Sequence, residues 1–310
     1  MTKRMMGSSG IEVAKLALGG NVFGWTADEA TSFAILDAFV DAGGTMIDTA
    51  DGYSAWVPGN KGGESETIIG KWLKQPGKRN RVVIATKVGF MAGLAPDIIA
   101  SACDASLARL GIETIDLYYQ HKDDEKVPLA DSLGAIDALV KAGKVRAIGL
   151  SNFTAPRIEE ALHVAHHAGL TVPSAYQGWY NMLERQKFEE TIAAVVLGQG
   201  LAMFPFYGLA NGFLTGKYRS QTDLGKSVRG LRNVEYFEGK GPKILAALDE
   251  VSRESGASLA AIALAWTMVQ PGITAPIASA TSLAQVEEQV AALTLTLTPG
   301  QIELLDRVSE

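Results

Sequence analysis

The 310-residue chain has one cysteine, Cys103, and four histidines. A lone thiol forms no disulfide within the chain and cannot build a Cys-rich metal site. Cys103 falls in a helical pattern over residues 98–110, where an inert buried thiol is the ordinary reading. Three of the histidines, His163, His166 and His167, share one helical run and are expected to be solvated. A hydrolase with clustered His and carboxylate ligands therefore finds no support, and no metal is expected. Lysine and arginine number 28 against 34 acidic residues, a net charge of −6. That balance lacks the basic face needed to wrap nucleic acid. No apolar run approaches the ~18 residues of a membrane span, although residues 259–269 suit a buried helix. Residues 1–10 lack the apolar core of a secretory signal. A soluble protein in the cytoplasm is expected, with neither membrane nor nucleic acid as partner.

What is present is an ordinary globular composition, 47% hydrophobic and 20% charged. Helical runs near residues 64–74, 96–110, 129–141, 156–168 and 186–199 are each followed by a short apolar run. Alternating strand and helix imply a parallel sheet, and about eight such units imply a closed barrel. The expected fold is an α/β (β/α)8 TIM barrel forming a single domain over residues 1–310. Ahead of it, residues 4–7 and 11–13 flank a Ser-Ser-Gly turn and read as a hairpin. A first barrel strand over residues 15–18 ends at Gly19 and Gly20, where a ligand can approach the backbone closely. Thr26 and Glu29 form a capping box, and residues 171–176 read as a strand ending before Gln177. Helices over 242–255 and 258–269 precede a last strand over 273–277. Thr298 and Gln301 cap a final helix with Pro299 at its first position.

Four polar residues stand where barrel enzymes keep their chemistry, at the ends of strands. Asp48 and Tyr53 belong to the stretch T-M-I-D-T-A-D-G-Y, residues 45–53. Lys87 follows the apolar run 81–86, and His121 follows 115–120. A tyrosine needs a neighbouring cation to bring its pKa from about 10 toward working pH, so Asp, Tyr, Lys and His together form a proton-transfer set.

At these residues the chain resembles the aldo-keto reductases over essentially its whole length. The matching words are residues 45–53, G-G-E-S-E at 62–66, A-T-K at 85–87, Gln120–His121, G-L-S-N-F at 149–153, Gln177 and L-A-N-G-F-L-T-G-K-Y at 209–218. The resemblance implies an N-terminal hairpin plugging the barrel and extra C-terminal helices. It also implies reduction of an aldehyde or ketone, or the reverse reaction, with NADP(H) or NAD(H). Tyr53 would be the general acid/base, Lys87 and Asp48 would tune it, and His121 would orient the carbonyl. The same fold and words occur in the potassium-channel β subunits, so a nicotinamide-sensing interaction protein is the alternative. A Schiff-base lyase using Lys87 as nucleophile would need that lysine free of a carboxylate partner, and Asp48 argues against it.

The cofactor side is implied in the same way: Gly20, Asn21 and Asp48 on the first loops, Ser151, Asn152 and Gln177 around the nicotinamide. A side-chain amide such as Gln177 offers donor and acceptor to a carboxamide. An aromatic in the strand over residues 201–207, which ends at Tyr207, would stack on the nicotinamide ring, and the backbone of the following loop, with Gly208, Leu209, Ala210 and Gly212, would hold the pyrophosphate, although Tyr207–Gly208 replaces the Ser-Pro usual in the family. Lys217 and Arg229 match phosphate ligands in a long lid, residues 216–241, whose five cations suggest a clamp over phosphates. Ser279, Thr281, Ser282, Gln285, Glu288 and Gln289 would hold the adenosine end, at a helix N-terminus suited to an anion. Ser282 and Gln285 read as the cap of that helix. No Lys or Arg stands there, and a missing charge-assisted contact costs about 1.5–3 kcal/mol, which weakens the expected NADP preference. Trp25, Trp56 and Tyr180 are candidate walls of the substrate pocket, and residues 122–125 add a polar rim that suits a polyol-derived carbonyl. Substrate, direction and oligomeric state stay open.

Overall fold

A computed structural model of the chain describes residues 2–310. Two antiparallel strands, β1 (Lys3–Met5) and β2 (Glu12–Ala14), come first. Then follow β3 (Ala17–Gly19), α1 (Glu29–Asp41), β4 (Met46–Asp48), α2 (Glu64–Leu73), β5 (Val83–Val88), α3 (Pro96–Leu110), β6 (Ile115–Gln120) and α4 (Leu129–Lys141). The chain continues through β7 (Val145–Ser151), α5 (Ala155–His167), β8 (Ala175–Trp179), the short helices α6 (Gln186–Glu189) and α7 (Ala193–Gly198), and β9 (Ala202–Phe206). After a segment built of 3-10 turns come α8 (Gly241–Ser255), α9 (Leu259–Val269), β10 (Ile277–Ala278), α10 (Leu283–Val290) and α11 (Pro299–Ser309). Eight parallel strands form one sheet in the order β10-β3-β4-β5-β6-β7-β8-β9. Its two ends meet where Met203 bridges Ile273 and the Thr274 N–H donates to the Met203 carbonyl at 2.8 Å. This is the (β/α)8 barrel expected from the alternating pattern.

Successive residues of a strand point to opposite faces, and that alternation decides what fills the barrel. Ala85, Leu117, Tyr119, Ala147, Ala175, Ala202 and Phe204 pack together with Met6, Ile11 and Val13 of the hairpin. Large and small residues interlock: a Cβ at Gly149 would fall 2.5 Å from the Tyr119 ring. The hairpin lies against the N-terminal ends of the strands, where Gly7, at φ +52°, presses on the Ser174 carbonyl just ahead of β8. Continued toward the C-terminal ends, the same period-two face carries Asp48, two residues past Met46, Lys87 past Ala85, and Gln177 past Ala175. On β4, β5 and β8 the inward face thus turns polar toward the C-terminal ends of the strands.

Several boundaries differ from the sequence reading. The first barrel strand is Ala17–Gly19 rather than residues 15–18. Strand β8 begins later than expected, at Ala175, so Gln177 sits inside it, paired with Ser151 and Phe204. The last strand is two residues long because Pro276, which has no N–H to give, interrupts the run from Ile273. The expected helix over 186–199 is broken into α6 and α7, with no proline or glycine at the break. Helix α1 is capped by Asp28, whose side chain accepts from the Thr31 N–H, and not by Thr26. Helix α9 is buried from Ala260 to Met268, as its apolar run requires, and the Thr298–Gln301 box of α11 has both hydrogen bonds. No described helix is long and apolar enough to cross a membrane.

Candidate active site

At the C-terminal mouth of the barrel, the fully buried Lys87 ammonium donates to Asp48 Oδ2 at 2.6 Å, to the Thr49 carbonyl at 2.8 Å and to Tyr53 Oη at 3.0 Å. Three acceptors use all three of its protons. The other carboxylate oxygen of Asp48 accepts from Gln177 Nε2 at 2.9 Å. Gln177, expected to pair with a carboxamide, has therefore spent one donor on Asp48. The loop after Tyr53 is pinned from two sides: Ser54 Oγ donates to the Phe23 carbonyl at 2.8 Å, and Asn60 Nδ2 donates to the Gly24 carbonyl at 3.0 Å. The phenol is held at Lys87 by these contacts and not by its own strand.

Burial disfavours the Lys87 charge, but Asp48 and then Tyr53 more than offset it, and the ammonium pKa is raised. Tyr53 departs from the expectation of a lowered pKa. Burial pushes its phenol up, Lys87 pulls it down, Asp48 pushes it up again, and the net direction is upward. The cation is present, but its charge is shared with the carboxylate beside it. His121 stands edge-on to Tyr53, with ring centroids 5.9 Å apart. Burial and then Lys87 hold its pKa well below the usual imidazole value, so the ring is neutral at pH 7, and its buried Nδ1 has no partner. Its backbone is fixed by the Val88 carbonyl and by Asn152 Nδ2, which donates to the His121 carbonyl at 2.9 Å.

Aromatic rings surround this floor. Trp25 meets Trp56 edge-to-face at 5.6 Å, Trp56 meets Tyr53 at 6.2 Å, and Phe90 lies 4.9 Å from His121. Tyr180 is not among them: it is 1% exposed, stacks on Trp266, meets Phe188 edge-to-face, and donates from its hydroxyl to Glu189 at 2.6 Å. One position earlier, Trp179 shares the inward face with Ala175 and Gln177 and packs against Tyr207 at 4.3 Å. Sequence reasoning missed Trp179 because it ended the strand at Tyr176; the period-two face would have found it. It also missed Phe90 and Met91, an exposed apolar pair in the loop after β5.

On the cofactor side, the Gly20 N–H donates to the Asp48 carbonyl, and a Cβ at Gly19 would meet Ser279 Oγ at 2.5 Å. A Cβ at Gly20 would fall 2.8 Å from Ser65 Oγ on α2, so both glycines make room for the protein's own side chains. Ser279 Oγ donates to Asn21 Oδ1 at 2.7 Å, and Gln289 Nε2 donates to the Ser279 carbonyl at 3.0 Å. Ser282 caps α10 through the Gln285 N–H, but the Gln285 carboxamide reaches back to Thr281 rather than to Ser282. Glu288 is exposed. Ser151 faces Gln177 across β7 and β8, and Asn152 follows it at φ +57°. Tyr207, Ala210, Asn211 and Gly212 all have positive φ, a strained turn after β9 in which the buried Asn211 Oδ1 has no partner. Gly208 packs on Leu264, while Leu209 and Ala210 press into the core. Lys217 Nζ lies beside the Gly212 turn and over the Tyr218 ring. Arg229, the other expected phosphate ligand, has its guanidinium 5.0 Å above the Trp25 ring. Among the described residues, no group of three or more His, Cys, Asp or Glu is placed to share a metal ion.

A sequence profile of the Aldo/keto reductase family matches residues 15–310. Aldo-keto reductase str7 of Strobilurus tenacellus is 32% identical over 311 residues, covering 98% of this chain and 88% of its own. A putative voltage-gated potassium channel subunit beta of Schizosaccharomyces pombe is likewise 32% identical over 326 residues, with 98% and 92% covered. L-glyceraldehyde 3-phosphate reductase of Escherichia coli O157:H7 is 28% identical over 326 residues, with 99% and 92% covered. A match of that extent, on a barrel with Asp48, Tyr53, Lys87 and His121 gathered at its mouth, makes this chain a member of the aldo/keto reductase family.

Proposed function

We propose that the protein is an oxidoreductase that interconverts an aldehyde or ketone and its alcohol, with Tyr53 as general acid/base and NADP(H) or NAD(H) as cofactor. The observation that carries this reading is the three-way contact of Lys87 with Asp48, Thr49 and Tyr53. Tyr53, kept protonated by burial, holds a proton to give to a carbonyl oxygen, and Lys87 stabilises the phenolate left behind. Neutral His121 can donate a hydrogen bond that polarises the same oxygen without competing as an acid. A bound reduced nicotinamide supplies the hydride. The residues present suit such a group. Lys217 has no ion-pair partner among the described residues, the Asn211 amide oxygen is buried without a donor, and Ser151, Asn152 and Gln177 cluster beside Asp48. Gly20, Asn21, Ser151, Asn152 and Gln177 would hold the nicotinamide end, the turn from Tyr207 to Gly212 with Lys217 the phosphates, and Ser279, Thr281, Ser282, Gln285 and Gln289 the adenosine.

Tyr53→Phe tests the assignment. Cofactor binding should persist while reduction of a reactive aromatic aldehyde falls by about 10²–10⁴-fold; unchanged turnover rejects Tyr53 as the acid. The relative named as a channel β subunit supports a second reading, a cofactor-sensing protein with little turnover. Tight NADPH binding by a wild-type protein that oxidises it with no aldehyde would favour that reading.

A further inference from the structure

Asp48 and Lys87 face into the barrel, so their neighbours Thr49 and Thr86 face outward, toward the helices. Both threonines are fully buried there, and both hydroxyls are taken by consecutive residues in the first turn of α2. Thr49 Oγ1 lies 2.8 Å from Ser65 Oγ, and Thr86 Oγ1 donates to Glu66 Oε1 at 2.6 Å. Ser65 gives its one proton to the Gly20 carbonyl at 2.8 Å, so in its contact with Thr49 the threonine is the donor. The Gly20 N–H in turn donates to the Asp48 carbonyl at 2.8 Å. One dipeptide outside the barrel therefore grips the chain directly after Asp48, directly before Lys87 and just past β3.

Fastening α2 to the barrel does not account for the choice of residues. A buried carboxylate is costly, and packed apolar side chains of similar volume would hold a helix as well or better. Glu66 is nevertheless fully buried, with Thr86 on one carboxylate oxygen and Arg109 Nε on the other, each at 2.6 Å. A hydrogen bond fixes distance and direction together, and the groups fixed here adjoin the ion pair. The Thr49 carbonyl is itself one of the three acceptors of the Lys87 ammonium, at 2.8 Å. The Thr49 N–H donates to the Ala85 carbonyl, also at 2.8 Å, so its two peptides are held by β5 and its side chain by Ser65. Rotation about Thr49 would move the acceptor away from Lys87, and the Ser65 contact opposes that rotation.

Building on the reductase reading above, we infer that Ser65 and Glu66 are positioning residues, which set the spacing of Asp48, Lys87 and the Tyr53 phenol from behind the strands. Ser65 acts through Thr49 on an acceptor of the ammonium, and Glu66 acts through Thr86 on the strand that carries the lysine. Displacing a reacting group by about 1 Å costs on the order of 10²-fold in rate. Loosening either grip therefore lowers kcat and leaves the binding of cofactor and aldehyde in place.

Thr86→Val removes the hydroxyl at nearly constant shape. It should lower kcat for a reactive aromatic aldehyde by about 10- to 100-fold, with the aldehyde KM and the NADPH affinity near wild type. Thr86→Ser keeps the hydroxyl and should restore the rate. Ser65→Ala should act as Thr86→Val does, and adding Thr49→Val to it should cost no more, because both break one chain. A Thr86→Val enzyme that loses thermal stability but keeps the wild-type kcat overturns the proposal, as does an additive loss in the Ser65→Ala, Thr49→Val pair. If Thr86→Val does not fold by circular dichroism, Ser65→Ala decides by the same kcat. The 1H–15N signal of the Lys87 ammonium, recognised by the slow proton exchange that full burial gives it, needs no turnover. In a protein that reduces no aldehyde, a signal displaced by Thr86→Val upholds the positioning role and rejects the reductase reading, and an unmoved signal rejects both. Aldehyde reduction at the wild-type kcat in the variant, with the signal in place, rejects the positioning role and keeps the reading.

Discussion

The cluster around Lys87 at the barrel mouth and the lid treat their charged groups in opposite ways. Lys87, Asp48, Gln177 and Tyr53 are bonded to one another so that no proton of the ammonium is spare. In the lid, Lys217, Arg229 and Arg232 lack ion-pair partners among the described residues, and Val228 and Leu231 are 69% and 76% exposed. The cluster is preorganised: its hydrogen bonds are in place before anything binds, which the proposed carbonyl chemistry needs. The lid leaves these cations unanswered within the described residues, as the proposed role of a segment that opens to ligands requires.

Breaking the floor should have the largest effect. Lys87→Met removes three hydrogen bonds and leaves the buried Asp48 carboxylate with Gln177 alone. Removing one partner of a buried pair costs about 3–5 kcal/mol, and loss of the group that stabilises the phenolate should lower turnover by about 10²–10⁴-fold. Urea unfolding and aldehyde reduction measure the two effects. Unaltered stability would mean that Lys87 does not hold the Asp48 charge. In the lid the contrast reverses: Lys217→Gln should weaken NADPH by about 10- to 150-fold with stability within about 0.5 kcal/mol of wild type. A lid variant that unfolds the protein as Lys87→Met does would erase the distinction.

The same contrast separates what could be read in the sequence from what could not. Asp48, Lys87 and His121 were legible because each ends a short apolar run, and the period of two that buries Met46 and Ala85 also points Asp48 and Lys87 inward. Where a run continues past its expected end the reading failed: Trp179 was overlooked, and its outward neighbour Tyr180 was assigned to the pocket although it packs on Trp266. The lid cations could be counted but not paired, since Arg219 finds Asp249 thirty residues away and Arg229 finds no acid. The direction of the Tyr53 shift was also hidden. A sequence displays the lysine that lowers a phenol's pKa but not the burial that raises it.

At the N-terminus of α10, the proposed adenosine end, the effect should be smaller. The N-terminus of α10 is capped by Ser282 with no cation near its first turn in sequence. Ser282→Arg should tighten NADPH over NADH by about two- to fivefold, the yield of a solvent-exposed ion pair. Equal tightening of both cofactors would place the 2′-phosphate away from this helix.

The smallest effect tests the edge of the floor. Asp51, two residues from Tyr53, has its pKa raised from 3.8 to about 6, first by burial and then by Glu66. Glu66 is itself held by Thr86 and Arg109, each at 2.6 Å, and Arg109 pulls the Asp51 pKa down only from beyond ion-pair distance. Between pH 3.8 and about 6 the folded protein keeps a proton that the unfolded chain has released. Stability therefore falls as pH rises through that window and stays lower above it. Asp51→Asn, neutral throughout, should escape this loss. Its Tm should exceed wild type by about 2–4 °C at pH 8 and match it at pH 4. An equal gain at both pH values would trace the effect to packing, and no gain at pH 8 would mean that the carboxylate near Tyr53 is better solvated than its burial implies.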